Sequence, residues 1–429
     1  MRRVTQLDPD VERAKTAGAT TPVPAARGAV PDGTAPDDAG AAVARDPDAV
    51  APDSERQRKL VRIRRSCYAA WAVVVVLWLT FFGFPFDRNR LLILICLGLL
   101  TVSIGRRPLL GVIRDWLPFA LLLAAYDLSR YLAIIIGLPT HWHLAVDVDK
   151  WMFGGTVPTV WLQEQLKTAD IPWWEIITST VYMSFFLIPY VVAAFLWVRD
   201  RVSWRKYVIR FVAISFAALI GYIFVPAAPP WAAARCTAEQ VVDGPSNPDC
   251  MFSDPADTPD GGLLGPMTTH QPGADPHVER ISTRGWDATH LMAARKVVES
   301  GQKNSNMVAA IPSLHAGLTA LIAMFMWPRV RKRWRLIWAA YALTMAFALV
   351  YTAEHYVFDI LIGWALAVAV LRLCPPVDRW WDRTAPKVSA RFSAWRTRRA
   401  RAGAPVEGAG AVDAAAAGAD AGGAGARDA

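Results

Sequence analysis

The sequence predicts an all-α protein, a polytopic membrane helix bundle of about eight transmembrane helices, and three observations carry that prediction. Of 429 residues, 54% are hydrophobic, with a mean hydropathy of +0.24, which is too oily for a soluble chain of this size. Eight runs approach the ~20 mostly apolar residues that a spanning helix needs. The formal net charge of +9 falls in short clusters beside those runs. That pattern belongs to the loops of a membrane protein and speaks against nucleic-acid binding.

Residues 1–60 come first, and their opening 55 are rich in Ala, Pro, Asp and Gly with no apolar core. They predict a disordered cytoplasmic tail and no signal peptide. Residues 61–114 hold two predicted helices, 66–85 and 90–105. A membrane domain over 115–373 holds the other six, at 115–137, 174–198, 206–226, 308–328, 334–353 and 355–373. Between the third and fourth, 138–173 is too polar to span and too amphipathic for a plain loop, so an interfacial helix with Trp anchors is expected. Pro229 and Pro230 in "VPAAPPW" end the fifth helix, because proline lacks the amide donor. A Gly-, Pro- and Asp-rich loop, 227–307, follows, and a tight turn at Ala353 and Glu354 joins the last two helices. Residues 374–429 turn basic, then low-complexity Ala/Gly, and predict a cytoplasmic tail.

Orientation follows from Lys and Arg in short loops. "RQRKLVRIRR" precedes the first helix; Arg106, Arg107 and Arg114 follow the second, "RDRVSWRK" the fourth, "RVRKRWR" the sixth and "RFSAWRTRRARAG" the eighth. All five fall on one side of an eight-span chain, expected to be cytoplasmic with both termini; only the loop at 86–90 carries Arg on the other side. The plasma membrane is the expected location, with the 227–307 loop extracytoplasmic. Cys236 and Cys250 in that loop pair if the compartment is oxidising, and are otherwise two thiols. Cys67, Cys96 and Cys374 lie in or beside apolar runs and read as packing residues.

Two stretches carry chemistry, "IPSLHAG" at 311–317 and "YTAEHYVFDILIG" at 351–363. The topology puts His315 and His355 at one membrane depth on the outer side, each in the first turn of its helix. Helix N-termini favour anions, so two that converge predict a phosphate cradle. Pro312 suits a first helical position, and Ser313 can cap the helix or donate its hydroxyl to a phosphate oxygen. Asp359 follows His355 by four residues on the same face. A carboxylate there can hold one ring nitrogen and leave the other to attack, the logic of a nucleophile with its orienter. The plain alternatives are an interfacial polar histidine and a Glu354–His355 helix cap, but an ionisable residue inside an apolar helix normally has a purpose. In the third helix Arg130 reads as a phosphate ligand oriented by Asp127, or as half of an ion pair with it. Arg280, Arg284, Arg295 and Lys296 are further phosphate candidates in the loop. His141 and His143 flank Trp142 and read as interfacial. No metal-ligand spacing is present, so neither metal nor cofactor is expected.

At these residues the chain resembles the type-2 phosphatidic acid phosphatase superfamily, which carries P-S-G-H in one motif and S-R-x5-H-x3-D in another. Here "PSLH" stands at 312–315 and "HYVFD" at 355–359. The "SLHA" at Ser313–Ala316, the "HYxxD" at His355–Asp359 and the preceding "PAAPPW" at Pro226–Trp231 are similar to the inositolphosphorylceramide synthase branch, a group of membrane inositolphosphotransferases. The resemblance covers roughly 115–373 and implies a six-helix phosphatase-like catalytic core. It further implies that His355 is a nucleophile forming a phosphohistidine, that Asp359 orients it, that His315 is the general acid for the leaving alkoxide, and that Ser313 with nearby amides holds phosphoryl oxygens. Two departures stand out. Leu349 occupies the place of the motif arginine six residues before His355, and the K-x6-R-P motif has no outer-face counterpart, since "GRRPLL" at 105–110 lies on the cytoplasmic side.

The expected protein is therefore an integral membrane enzyme that cleaves a lipid phosphoester at the extracytoplasmic face. The expected substrate is a membrane phospholipid or polyprenyl phosphate, and a polyol or sugar acceptor makes it an inositolphosphotransferase-type enzyme. Water as acceptor makes it a lipid phosphate phosphatase. A transporter is the competitor of another class; it predicts midplane polar residues and broken helices in related halves, which the sequence lacks.

Overall fold

The computed structural model describes residues 53–82, 88–106, 109–258, 260–288 and 307–384, and every structural statement below concerns these. The predicted tails lie mostly outside them, as do Arg295, Lys296 and the side chain of Arg130. The described chain is helical: α1 (Asp53–Phe82), α2 (Arg88–Ser103), α3 (Leu110–Ile136), α4 (Leu144–Met152), α5 (Pro158–Leu166), α6 (Trp173–Ser184), α7 (Ile188–Arg199), α8 (Arg201–Phe224), α9 (Leu314–Met326), α10 (Lys332–Tyr351) and α11 (Val357–Leu373). Among the described residues, extended pairing is confined to isolated bridges of Ala227 with His141 and with Ala309.

Three helices are long and apolar enough to cross a membrane: α8, α10, and α11 with its continuation to Thr384. The pair α6 and α7, bent by 57°, makes a fourth if it is one span. Eight runs are legible in the sequence, yet several become shorter or interrupted helices. The run 308–328 gives only the 13 residues of α9, because Ala309 is held extended against Ala227 and Ser313 caps the helix by accepting the Ala316 N–H at 3.3 Å. The run 174–198 breaks between Ser184 and Ile188, where Pro189 enters the first turn of α7 without an amide donor. The interfacial segment is two helices and not one: Gly154 and Gly155 adopt φ of 66° and 96° between α4 and α5, a turn that glycine makes at no steric cost. Trp151, Trp161 and Trp173 are exposed along this layer, whereas Trp142 is buried.

The membrane core joins Trp116 and Phe119 of α3, Leu196 and Trp197 of α7, Tyr207 and Ile214 of α8, and Leu321 and Phe325 of α9. A second core lies above it, between α4, α5 and the long loop, around Trp142, Val160, Trp231 and Met251. Apolar burial, about 25 cal/mol per Å², supplies the driving force for the second core, whereas the membrane core, surrounded by lipid as apolar as its side chains, is held by close packing between helices. Within the loop, a disulfide links Cys236 to Cys250, and the Cys236 carbonyl accepts the Leu263 N–H at 3.1 Å. Lys150 of α4 donates to the Leu263 carbonyl at 3.0 Å. The described part of the loop, 227–258 and 260–288, is thus folded over one end of the bundle.

Candidate active site

Helices α9 and α11 meet at two glycines. A Cβ on Gly363 would lie 2.4 Å from the Ser313 carbonyl oxygen, and one on Gly317 would lie 2.9 Å from the Gly363 carbonyl oxygen. Only hydrogen fits at such an approach. The contact is closed by the Ser313 N–H, which donates to the Asp359 backbone carbonyl at 3.1 Å. Ser313 and Asp359 are therefore fixed to each other, and their neighbours His315 and His355 come together. The two imidazole centroids are 5.8 Å apart, with planes inclined at 55°.

His355 Nδ1 lies 3.3 Å from Asp359 Oδ2, and the same oxygen accepts the Tyr356 N–H at 3.0 Å. With Nδ1 directed at a carboxylate, the Nδ1–H tautomer is favoured and Nε2 keeps its lone pair. Asp359 is fully buried, and its Oδ1, like Nε2 of His315, is buried without a hydrogen-bond partner. Unpaired buried polar atoms carry a penalty of about 1–3 kcal/mol each and mark sites that something else completes. His315 stands in an aromatic wall: its ring stacks on Tyr182 at 5.2 Å and 12°, and lies 4.0 Å from Phe185. Phe185 sits at the break between α6 and α7, so the break aims an aromatic ring at the histidine.

Two expectations change here. His355 lies ahead of α11 and not within its first turn, because Tyr356 is the N-cap residue. The N-terminus of α11 is also no open anion cradle. Asp149 of α4, 0% exposed, accepts the N–H groups of Phe358 at 2.9 Å and Val357 at 3.1 Å. Burial pushes the Asp149 carboxyl up to about 6, against the opposing pull of these two amides. Ser313 likewise has its amide and one lone pair engaged, which leaves its hydroxyl proton as a donor.

The turn before His355 brings a second ion pair. Ala353 takes a left-handed φ of 61°, and the N–H groups of Glu354 and His355 both donate to the Leu349 carbonyl, at 3.0 and 3.1 Å. Glu354 receives Arg280 bidentately, Nε to Oε1 at 2.9 Å and Nη2 to Oε2 at 2.8 Å. Burial would raise the Glu354 carboxyl, but the Arg280 guanidinium outweighs it and holds the group below its ordinary value. Arg284 takes a different place, on Glu175 at 3.4 Å and on the Thr168 carbonyl. Asp127 lies on α3, whose Tyr126 packs edge-on against Phe216. Asp149, Tyr182, Phe185 and the Arg280–Glu354 pair are site residues that sequence reasoning did not single out for these contacts. Of these, Arg280 was expected as a phosphate candidate and Glu354 as a helix cap, but not as partners of each other.

A cleft of about 570 Å³ lies between α10 and α11, roofed by the α4–α5 layer. Trp161 and Leu162 form the roof, Phe347 and Val350 one wall, and Ile360 and Trp364 the other. On α11 the lining runs from Val357 to Trp364, and His315, His355 and Asp359 are not part of it. Among the described residues no group of three or more His, Cys, Asp or Glu side chains could hold a metal ion.

A protein-family model described as PAP2 superfamily matches residues 147–373, which includes the histidine pair, Asp359 and all the residues that line the cleft. No curated protein and no solved structure matches the chain.

Proposed function

The chain belongs to the PAP2 superfamily, a phosphatase-type family of membrane enzymes of lipid phosphoesters, and from that premise we propose that it transfers a phosphoryl-bearing group from a membrane lipid to a hydroxyl acceptor through a phosphohistidine. The observation that carries this reading is the pairing of His315 with His355 at 5.8 Å, with Asp359 on the far nitrogen of His355. A phosphorus atom between two such rings meets a nucleophile on one side and a proton source on the other.

His355 Nε2 attacks phosphorus, the bond from phosphorus to the lipid oxygen breaks, and that oxygen takes a proton from His315. Asp359 stabilises the positive imidazole that results. An acceptor hydroxyl then gives its proton to His315 and attacks phosphorus, and the N–P bond breaks to restore His355. Ser313 donates its hydroxyl to a phosphoryl oxygen, with Arg130, oriented by Asp127, and Arg295 as further cations. The apolar cleft takes the hydrocarbon chain of the donor lipid, a phospholipid or polyprenyl phosphate. The "SLHA" and "HYxxD" motifs favour a polyol or sugar acceptor, as in inositolphosphotransferases. Water in its place makes the protein a lipid phosphate phosphatase, the reading closest to the superfamily at large. The distribution of Lys and Arg supports eight spans, cytoplasmic termini and an extracytoplasmic site in the plasma membrane.

Incubation of the purified protein with labelled phospholipids, with and without inositol, tests this. A phosphodiester product that appears only with the acceptor supports transfer. Free phosphate or a phosphomonoester in both arms assigns hydrolysis, and no cleavage in either arm for the donor lipids named overturns the reading.

A further inference from the structure

One charged pair beside the histidines has no role in that mechanism. Arg280 and Glu354 come from segments 74 residues apart. Arg280 sits on a strap that is pinned from both sides. On one side Gln163 holds Glu279 through its backbone N–H at 3.0 Å and its carbonyl at 2.8 Å, while Lys167 reaches the Glu279 carboxylate at 3.1 Å and the His277 carbonyl at 2.6 Å. On the other side the Gly285 N–H donates to Ser179 at 3.2 Å. Gly285 permits this docking, because a Cβ there would lie 2.3 Å from the Glu175 carbonyl oxygen. The strap therefore delivers one side chain to a fixed place.

At that place the guanidinium lies over the Trp231 ring at 4.8 Å and interacts electrostatically with Tyr182, whose ring is the one stacked on His315. The charges of Arg280 and Glu354 both reach His315. The side chain of Arg280 keeps 22% of its surface accessible, against 7% for Glu354. A planar fork that fits the two oxygens of a carboxylate fits two oxygens of a phosphoryl group equally well. The Glu354 carboxylate thus occupies the position that a substrate anion needs.

We propose that Glu354 is a built-in stand-in for the substrate anion: it holds Arg280 beside the histidine pair in the empty enzyme, and the phosphoryl group displaces it and takes the guanidinium for itself. This rests on the phosphoryl-transfer reading above and adds to it a further residue that binds the anion. Arg280 does the binding, and Glu354 is a positioning residue that competes with the substrate for it. Competition has a sign that simple structural support lacks. Removing the Glu354 charge loosens its hold on Arg280 and strengthens anion binding, while removing Arg280 weakens it.

The test is binding of inorganic phosphate to the full-length protein in detergent, by calorimetry on the His355→Ala background so that turnover plays no part, with melting temperature measured alongside. Arg280→Gln should weaken phosphate binding about 10–100-fold, the usual worth of a charge-assisted fork. Glu354→Gln should tighten it about 3–10-fold, although it lowers the melting temperature. In the enzyme with His355 intact, Arg280→Lys should raise KM more than it lowers kcat. Phosphate binding that Arg280→Gln leaves unchanged, or that Glu354→Gln weakens, overturns the proposal. The second result does so alone if the arginine variants fail to fold. Loss of lipid cleavage in the unmutated enzyme would instead remove the reaction reading, and calorimetry keeps the two failures apart.

Discussion

Replacing Gly363 with alanine asks whether the closeness of α9 and α11 sets the reaction geometry. The new methyl would lie 2.4 Å from the Ser313 carbonyl oxygen, whereas an ordinary carbon–oxygen contact is about 3.3 Å or more. The obstacle is backbone, so no side chain can swing away, and the helices must part by about 1 Å. His315 travels with α9, while His355 is tied to α11 through Asp359 at 3.3 Å. The parting therefore widens the histidine pair itself. Overpacking of this kind costs about 1–3 kcal/mol of stability, and a misplacement of about 1 Å between reacting groups costs about a hundredfold in rate. The assay is kcat for lipid phosphoester cleavage in mixed micelles, read with the melting temperature. The variant should melt earlier and lose about a hundredfold in kcat with KM little changed. Gly98→Ala is the control: its methyl would meet the Trp71 side chain at 2.8 Å, between α1 and α2, and should cost stability without kcat. A Gly363→Ala enzyme with normal kcat, or an equal kcat loss in Gly98→Ala, would refute the reasoning.

Asp359→Asn should lower kcat by about a thousandfold, since the imidazolium at His355 loses its counter-charge; kcat against KM at saturating lipid checks it. Asp149 predicts a pH dependence: its folded value of about 6 exceeds the ordinary 3.8, so the folded chain holds the proton more tightly than the unfolded chain. That contribution favours the fold fully below about pH 4 and is lost as pH rises through 6, a difference of roughly 3 kcal/mol. The melting-temperature gap between the wild type and Asp149→Asn should therefore shift in favour of the variant from pH 4 to pH 7, and a gap independent of pH contradicts it. Val350→Trp, which fills the cleft, should raise KM at least tenfold for a long-chain lipid and leave a short-chain soluble phosphoester unaffected; equal effects on both substrates would separate the cleft from the lipid chain.

How much of this was legible depends on the range of each interaction. The long apolar runs that become α8, α10 and α11 are local features, and the sequence displays them. His315, His355 and Asp359 stand out because polar residues interrupt such runs, and their short motifs carry their own spacing. The shortening of α9 was hidden, since Ala309 is held extended by Ala227, 82 residues away in the chain. Asp149 engages amides 208 and 209 residues further on, and no periodicity announces a cap supplied by another helix. Arg280 was visible only as one loop arginine among several. Its partner is chosen by the strap, and the strap is placed by Gln163, Lys167 and Ser179, residues that read as ordinary polar faces of short helices. The α4–α5 break was readable in retrospect from the paired glycines at 154 and 155, but an amphipathic stretch of this length satisfies one helix as well as two.

The most direct test is to quench the enzyme within its first turnover on a lipid labelled in the phosphoryl group and to map the label on the denatured protein. The account predicts an acid-labile, base-stable adduct on the peptide that contains His355, absent from His355→Ala and accumulating in His315→Ala when the leaving group is good enough to depart without a proton. Label on any other residue, or a burst of product with no protein-bound label, would contradict it.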